Sequence, residues 1–318
     1  MMKAVRFHHY GDIDVLDLED AEPRPLGPDD VLVRVLAAGI NPGEAKIRTG
    51  ALHERFPATF PSGQGSDLAG TLAEIGAAVT EWAVGDPVLG WSWERSSHAE
   101  YVTVPADQLV RKPDALPWTP AGALYVAGTT AWAAVAAVDP QAGETVVVAG
   151  ATGGVGTLAV QLLRLRRANV LAIASPRHRD WLESQGATLV DYGDDVAERL
   201  RQAVEADGGG PVHAFLDFHG GDYPRTALAL GVPPRRINTL DYAAAAALGT
   251  SSDGNAQGTS QAVLTELAEL AATGRIEVPI SGTYPLTEVR QAFAHLEHEH
   301  PLGKIVLLPG AAPQLDRS

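Results

Sequence analysis

The spacing of hydrophobic residues changes once along the chain, near residue 120. Before that point the apolar residues form short β-like runs, such as residues 31–36 and 100–104, separated by turns rich in Gly, Pro and Asp. These runs follow one another too closely for helical crossovers between them. The first part of the chain therefore predicts a compact β-domain.

After residue 120 the pattern is that of an α/β domain. Continuous apolar runs, typical of parallel strands covered on both faces, alternate with helix-like stretches. The strand-like runs are 145–149, 170–174, 188–191 and 212–218, and the helix-like stretches include 157–166 and 179–185. After a helix-like stretch at 261–272 the chain returns to short β-runs, including 303–308. We predict a mixed α/β and β fold with a doubly wound parallel sheet at 120–262, inserted into a β-domain made of 1–119 and 263–318.

A glycine-rich turn follows the first buried strand of the α/β part and leads into a helix. It reads Gly150-Ala151-Thr152-Gly153-Gly154-Val155-Gly156. Glycine permits a tight turn there and lets backbone N–H groups approach a pyrophosphate, and the helix N-terminus adds partial positive charge. A glycine cluster alone also occurs in purely structural turns. Because strand and helix flank this one, the pattern favours phosphate binding by the segment from Thr152 to Gly156.

The end of the next strand indicates which dinucleotide is bound. Sites for NAD place an acidic residue there, about 20 residues after the glycine turn, to hold the ribose 2′-OH. This chain instead has Ser175, Arg177 and Arg179 after the strand at 170–174, with no carboxylate among residues 175–179. Guanidinium groups suit a 2′-phosphate, although basic residues are also common at a solvated helix start. We predict NADP(H) as the cofactor.

Composition excludes several classes of protein. The 318 residues are 45% hydrophobic and 20% charged, which does not fit a disordered chain. Cysteine is absent, so no disulfide, thiolate nucleophile or cysteine-ligated zinc is available. The net charge of −15 argues against nucleic acid or an anionic membrane as the main partner.

No targeting or membrane segment is expected. Asp12 and Asp14 interrupt any apolar run that a signal peptide would need near the start. The long uncharged stretch at 121–138 consists mostly of Ala, Gly and Thr, which favours a helix buried in a protein over a membrane span. We therefore predict a cytoplasmic protein without membrane insertion.

Several spaced motifs occur in a fixed order along almost the whole chain. They are Ala38-Gly39-Ile40-Asn41-Pro42 followed by 48–50, then 65–70, 85–88, the glycine turn and 303–307. With these motifs the sequence resembles the zinc-independent quinone oxidoreductase branch of the medium-chain dehydrogenase/reductase superfamily. The resemblance implies a GroES-like β-domain formed by both chain ends, an inserted Rossmann domain, an active site in the cleft between them and a homodimer.

The resemblance also implies roles for individual residues. Asn41 occupies the position of a cysteine zinc ligand in zinc-dependent relatives, and in this branch it lies beside the nicotinamide. Positions implied to contact the cofactor are Thr130, the glycine turn, Ser175, Arg177, Tyr192, Phe218, His219, Asn238, Thr239 and Leu240. The family often carries a tyrosine a few residues after Asn-Pro, where this chain has Lys46 and later His53. The proton donor is therefore open, with Lys46 as one candidate.

Two further groups of residues have alternative interpretations. Trp91 and Trp93 follow Gly90 and are candidates for the wall of a pocket for a planar acceptor, or for packing in the core or at an interface. The histidines of residues 295–300 favour a solvated helix end over a metal site. We predict no metal ligands.

The missing cysteine ligand and the predicted NADPH together favour substrates that accept hydride without activation by a metal. Zinc in the alcohol-oxidising relatives polarises the substrate oxygen, whereas quinones and α,β-unsaturated carbonyls are already electron-poor and need mainly positioning and a few donors to the developing oxyanion. Asn41 and Lys46 are candidate donors. We predict an NADPH-dependent reductase of such acceptors. The alternatives are a metal-free NADP-dependent alcohol or carbonyl dehydrogenase and a non-catalytic NADPH-binding protein on the same fold.

Overall fold

The computed structural model describes residues 1–206 and 208–310. Its contacts divide the chain into one unit made of Met1–Val126 and the chain from Ser260 onward, and a second unit, Ala127–Thr259. The boundaries predicted from the sequence, after residues 119 and 262, lie a few residues away from this division and stay predictions.

The elements alternate as the sequence suggests, with strands at both ends of the chain and strand–helix repeats in the middle. In chain order they are β1 (Met2–Phe7), β2 (Asp17–Ala21), β3 (Asp30–Gly39), α1 (Pro42–Arg48), β4 (Ser62–Gly63), β5 (Asp67–Ile75), β6 (Pro87–Trp91), β7 (Tyr101–Pro105), β8 (Leu109–Arg111), α2 (Trp118–Ala121), α3 (Tyr125–Val138), β9 (Thr145–Ala149), α4 (Gly154–Leu165), β10 (Asn169–Ala174), α5 (Arg179–Ser184), β11 (Ala187–Asp191), α6 (Val196–Ala206), β12 (Ala214–Asp217), α7 (Tyr223–Ala229), β13 (Ile237–Thr239), α8 (Tyr242–Leu248), α9 (Asn255–Gly258), α10 (Gln261–Ala272), β14 (Ile280–Pro285), α11 (Val289–His298) and β15 (Lys304–Leu308).

The first unit is a GroES-like β-domain closed by the end of the chain. A small antiparallel sheet has the order β2-β1-β4, and a larger sheet has the order β14-β15-β3-β5-β6-β8 with β7 also paired to β3. Val31, Val33 and Val35 alternate along β3 and are fully buried in the core, as the period of a half-buried strand requires. β15 pairs antiparallel with β3, with Val306 opposite Gly39. The end of the chain therefore lies in the same unit as its beginning.

The second unit is a Rossmann-type parallel sheet in the order β11-β10-β9-β12-β13. Val146, Val147 and Val148 of β9 are all fully buried, as expected for a central strand covered on both faces. β9 lies between β10 and β12. The chain adds β10 and β11 on one side of β9 and then crosses to add β12 and β13 on the other side, which makes β9 and β12 the switch point. Ligands of such folds bind beyond the carboxyl ends of the strands at this switch point.

Most predicted elements appear within a few residues of their predicted bounds, and three shifts have local causes. α4 begins at Gly154 rather than at residue 157, because the end of the glycine turn forms its first turn. The strand predicted at 212–218 is limited to β12, since His213 is used in main-chain and side-chain bonds to Thr145 instead. The uncharged stretch at 121–138 forms the end of α2 and all of α3, and among the described helices none combines the length and apolarity needed to cross a membrane.

Candidate active site

The glycine turn connects β9 to α4 at the switch point of the parallel sheet. Gly150 has a φ of 72°, in the left-handed region that glycine adopts without strain. Gly153 is the N-cap residue of α4, which is 12 residues long. The first N–H groups of a helix have no partner within it and point out from its N-terminus. The turn therefore presents backbone donors and the positive end of a helix dipole in one place.

Two glycines of this turn are required for different reasons. A Cβ at Gly156 would lie 2.1 Å from the carbonyl oxygen of Gly150 and 2.8 Å from Cα of Ala151, so packing within the protein excludes a side chain there. A Cβ at Gly153 would have only the Gly150 oxygen within 4 Å, at 3.6 Å. The space at Gly153 is open, as the close approach of a pyrophosphate to the backbone requires.

The adjacent strand ends without an acidic residue. Ser175, half-buried, and Arg177, exposed, follow β10 directly. The Nε of Arg177 contacts Nε2 of His178 at 3.0 Å, whereas Arg179 pairs with Glu183 at 3.3 Å along α5. Of the two arginines, Arg177 therefore lies nearer the strand end and is the better candidate for a 2′-phosphate.

Tyr192 follows the outermost strand of the same sheet and has a side chain that is 57% exposed. β11 runs parallel to β10, so Tyr192 leaves the sheet at the same edge as Ser175. Phe218 and His219 follow β12 at that edge too, and a Cβ at Gly150 would lie 3.3 Å from the His219 nitrogen. The second unit thus brings the predicted adenosine and loop residues to the edge that carries the glycine turn.

A buried carboxylate, which the sequence analysis missed, fixes the loops after β12 and β13. Oδ1 of Asp217 accepts hydrogen bonds from the backbone N–H groups of His219 at 3.0 Å and Gly220 at 2.9 Å. Its Oδ2 accepts the hydroxyl of Thr239 at 2.6 Å. The side chain is fully buried. Asp217 therefore holds both predicted cofactor loops to the sheet.

Replacing Asp217 with alanine is expected to lower the free energy of unfolding by about 1–3 kcal/mol, because it leaves the buried Thr239 hydroxyl and two part-buried backbone N–H groups without their acceptor. Urea unfolding measures the change. Asp222→Ala is the matched control: this carboxylate is exposed and paired with Arg225 only at 3.5 Å, so its loss is expected to cost less than about 0.5 kcal/mol. Equal effects of the two substitutions would contradict the role given to Asp217.

The stretch predicted to flank the nicotinamide is held mainly by its own side chains. The amide of Asn238 donates to the Asp253 carbonyl at 3.0 Å and accepts from the Asp253 N–H at 2.8 Å. Leu240 and Thr130 both lie near Gly254, where an added Cβ would be 3.4 Å from Leu240 Cδ2 and 3.8 Å from Thr130 Cγ2. The structure therefore places Leu240 and Thr130 in one neighbourhood, while the side chains of Asn238 and Thr239 bond to other parts of the second unit.

In the first unit Asn41 lies at the centre of a buried polar cluster, which we call the Asn41 cluster: Asn41, Glu44, Asp67, His98 and Lys304. Asn41 is the N-cap residue of α1, and its backbone N–H donates to Glu44 Oε2 at 2.9 Å, as in a capping box. Its Nδ2 donates to Glu44 Oε1 at 3.3 Å and to Asp67 Oδ2 at 3.2 Å.

This geometry changes the interpretation of Asn41 as a donor to the acceptor. The side chain is 4% exposed, and both amide hydrogens are directed to carboxylates. An amide in this arrangement has no further hydrogen to give to an oxyanion. The contacts of the Asn41 cluster fix the orientation of this amide, and a place for Asn41 beside the nicotinamide stays a prediction. Lys46 lies on the exposed face of α1, outside the Asn41 cluster, and its role as a proton donor stays a prediction.

The Asn41 cluster contains two carboxylates and one ammonium group. Asp67 Oδ1 accepts the N–H of Val126 at 2.6 Å, and Glu44 Oε1 accepts the N–H of Ser66 at 2.9 Å. Lys304 donates to Asp67 Oδ2 at 3.2 Å. Burial, followed by the nearby charge of Asp67, raises the pKa of Glu44 to about 7.

His98 borders the Asn41 cluster and is fully buried. Its Nε2 donates to the Gly39 carbonyl at 3.2 Å and lies 3.8 Å from Glu44 Oε2. Burial lowers the pKa of His98 to about 4, so the ring is neutral at physiological pH.

Glu44 and His98 are expected to give opposite pH dependences of stability. The unfolded protein binds the His98 proton first, because the folded pKa is lowered, so stability is lost as pH falls from 6.5 through 4. The folded protein binds the Glu44 proton first, so that contribution is lost as pH rises from 4.5 through 7. Glu44→Gln removes the Glu44 contribution and leaves that of His98. Between pH 4.5 and 6.5, the unfolding free energy of this variant is therefore expected to rise with pH more steeply than that of the wild type, by about 1 kcal/mol per pH unit. Urea unfolding across this range measures the slopes, and parallel profiles would contradict the assignment.

The two tryptophans have different environments. Trp91 is 4% exposed and stacks on Tyr125, with ring centroids 4.8 Å apart and an interplanar angle of 10°. Trp93 meets Tyr125 edge-on at 6.4 Å and is 52% exposed. Trp91 therefore forms part of the wall beside Asp67, its partner in the β5–β6 register. Of the pair, Trp93 has the exposed ring that a planar acceptor can contact.

Comparisons with known proteins identify two families along the chain. The family described as alcohol dehydrogenase GroES-like domain matches residues 27–114, and the family described as zinc-binding dehydrogenase matches residues 181–307. Over 97% of its length the chain is 30% identical to the NADPH-dependent alkenal/one oxidoreductase of Arabidopsis thaliana, 80% of which is covered. The chain belongs to the quinone oxidoreductase branch of the medium-chain dehydrogenase/reductase superfamily. It is also 28% identical to a quinone oxidoreductase of Pseudomonas aeruginosa, with 97% of this chain and all of that protein covered.

Solved structures of this superfamily share the fold. The quinone oxidoreductase of Coxiella burnetii superposes with a TM-score of 0.87 at 27% identity, covering 97% of this chain and 99% of that one. The Escherichia coli quinone oxidoreductase, solved with NADPH, superposes with a TM-score of 0.84 at 23% identity, covering 96% of this chain and all of that one, and shows the fold alone. Although one matching family is named for zinc binding, the described residues contain no group of three or more His, Asp or Glu placed to hold a metal ion.

Proposed function

We propose that this member of the superfamily is an NADPH-dependent reductase that transfers hydride to a quinone or to the alkene of an α,β-unsaturated carbonyl compound. The observation that carries the proposal is the glycine turn at the switch point, next to a strand end that offers Ser175 and Arg177 in place of an acidic residue. The relatives that act on alkenals, on 2-methylene-furan-3-one and on quinones support the acceptor class.

Different residues bind the different parts of the dinucleotide. The backbone donors from Gly153 to Gly156 hold the pyrophosphate at the N-terminus of α4. Arg177 and Ser175 hold the 2′-phosphate by charge-assisted hydrogen bonds. NADPH, when bound, supplies the hydride. Thr130 and Leu240 position the nicotinamide end of the site.

The acceptor accounts for the absence of cysteine ligands. A quinone or enone delocalises the arriving electron pair onto oxygen, so the chain has to position the acceptor and exclude water rather than activate an alcohol. Trp93 provides a planar face, and Asn41 shapes the floor of the site. Lys46 is the proposed proton donor. By its superfamily the protein is proposed to act as a homodimer in the cytoplasm, without nucleic acid as a partner.

Oxidation of NADPH, followed at 340 nm with a panel of quinones and enones, tests the proposal. We expect turnover with NADPH to exceed turnover with NADH at least about tenfold, and EDTA to have no effect. Tight NADPH binding without turnover on any acceptor would favour the non-catalytic alternative. Oxidation of simple alcohols with NADP⁺ at a higher rate than enone reduction would favour the dehydrogenase alternative.

A further inference from the structure

A lysine from the last strand lies inside the first unit. Lysine occurs four times in the sequence, and Lys304, at the start of β15, is 3% exposed. Its Nζ donates to the carbonyl oxygen of Ile40 at 3.0 Å, to Asp67 Oδ2 at 3.2 Å and to Asn41 Oδ1. An ammonium group buried without partners is unfavourable by several kcal/mol. These three acceptors are what make its burial possible.

The strand pairing fixes where this ammonium group lies. β15 pairs with the end of β3, and the N–H of Ile40 donates to the carbonyl of Ile305 at 3.0 Å. The backbone of Lys304 therefore runs beside the residue that precedes Asn41. The pairing of β15 with β3 thus holds Lys304, from the other end of the chain, beside the start of α1.

The contacts of Lys304 allow only one orientation of the Asn41 amide. The amide oxygen faces the ammonium group, while Nδ2 faces the carboxylates of Glu44 and Asp67. A flip of the amide by 180° would set its NH₂ group against the ammonium group and its oxygen against two carboxylates. Each flipped contact would be repulsive in a low-dielectric interior.

We propose that Lys304 is a positioning residue for the reaction: it acts as an internal cation that locks the Asn41 amide and balances the carboxylates of Glu44 and Asp67. The positioning half rests on the proposed function, because it concerns the place of Asn41 in the active site. The charge-balancing half stands on the contacts within the first unit.

The groups that face Glu44 explain what removal of Lys304 does. They are the N–H donors of Asn41 and Ser66, the carboxylate of Asp67, the neutral ring of His98 and the ammonium group of Lys304. Lys304 lowers the pKa of Glu44, opposing burial and Asp67. Without it, Glu44 retains its proton to higher pH.

A double-mutant cycle on the buried pair tests the proposal. The variants are Lys304→Met, Asp67→Asn and the two combined. The matched control is the exposed pair of the same residue types, Lys3 and Asp20, at 2.9 Å with side chains about half exposed, changed to Met and Asn. Thermal midpoints, NADPH dissociation constants from fluorescence titration, and kcat and KM with one enone are measured for each.

We expect Lys304→Met to lower kcat at least about tenfold while the NADPH dissociation constant changes less than about threefold, because the cofactor-binding residues lie in the other unit. Adding Asp67→Asn is expected to recover part of the thermal midpoint, since it removes the carboxylate left unbalanced. It is not expected to recover kcat, because Asn41 stays unlocked. The control cycle is expected to shift the midpoint by less than about 3 °C.

The pH dependence of the unfolding free energy separates the two explanations, because a loss of packing alone would not shift it. In Lys304→Met, the fall of unfolding free energy that accompanies Glu44 ionisation is expected at higher pH than in the wild type. If the single variant does not fold, the combined variant carries the kcat measurement, and Asp67→Asn alone carries the pH measurement. Because Asp67 raises the pKa of Glu44, the fall of unfolding free energy is then expected at lower pH than in the wild type.

Each half of the proposal has a result that would overturn it. A kcat within twofold of wild type in Lys304→Met, or in the combined variant if that carries the test, would remove the positioning role. Additive midpoints in the buried cycle together with an unshifted pH profile would remove the charge-balancing role. A wild-type protein without turnover on any acceptor would remove the proposed function and the positioning half with it, while the cycle would still decide the charge balance.

Discussion

Gly156→Ala is expected to weaken NADPH binding at least about tenfold and to lower the free energy of unfolding by about 1–3 kcal/mol. The added Cβ would lie 2.1 Å from the Gly150 carbonyl oxygen and 2.8 Å from backbone atoms of Ala151. Those neighbours are main-chain atoms of the turn itself, so the turn has to open to make room. Because its N–H groups then no longer converge, the binding defect and the stability defect are expected together. Urea unfolding and fluorescence titration with NADPH measure the two effects.

Gly153→Ala, three residues earlier in the same turn, is the matched comparison. A Cβ there meets only one protein atom within 4 Å, at an ordinary van der Waals distance. The unfolding free energy is therefore expected to fall by no more than about 1 kcal/mol, the cost of alanine at the N-cap of α4. NADPH binding is still expected to weaken, since the methyl group occupies the space assigned to the pyrophosphate. Unchanged NADPH affinity in both variants would show that the turn holds no phosphate.

Arg177→Ala is expected to lower the preference for NADPH over NADH by about 10–100-fold, the equivalent of one charge-assisted contact to the 2′-phosphate. The effect is expected mainly in KM for NADPH, with KM for NADH nearly unchanged, because NADH has no 2′-phosphate. Steady-state kinetics with both cofactors give the ratio.

Arg201→Ala is the control for the general loss of positive charge in this acidic chain. Arg201 is exposed on α6 and pairs with Glu198 at 3.3 Å. Its removal is expected to leave the cofactor ratio within about twofold, because a screened surface charge contributes little. If Arg177→Ala and Arg201→Ala behaved alike, the 2′-phosphate would have to be bound elsewhere.

The fold, and the placement of the glycine turn and Ser175 at one edge of the parallel sheet, were predictable because they follow from local patterns. The apolar run of β9, the glycine turn and the start of α4 are contiguous, and the switch from β-like to α/β spacing lies in the sequence itself. The absence of an acidic residue after β10 is read directly from Ser175 and Arg177. In these features the residues that interact are also close together in the sequence.

The Asn41 cluster was not predictable in the same way, because its members come from distant parts of the chain. The Asn41-Pro42-Gly43-Glu44 pattern does carry a capping-box signal, and it indicates that Glu44 turns back to Asn41. Nothing local indicates that Lys304, 263 residues away, donates to the same amide. That contact depends on the pairing of β15 with β3, which the period of the strands does not specify. Asp217 was missed for a similar reason: its partners are loop N–H groups, which any sequence provides.

Hydride transfer from NADPH to an electron-poor alkene can be followed with an isotope label. The protein is incubated with NADPH carrying deuterium at the transferred position of C4 and with an α,β-unsaturated ketone, and the product is analysed by mass spectrometry and NMR. We expect a saturated ketone with one deuterium on the β-carbon, with the α-hydrogen supplied by solvent. A product without deuterium, or NADPH that binds tightly but is never oxidised by any enone or quinone, would contradict it.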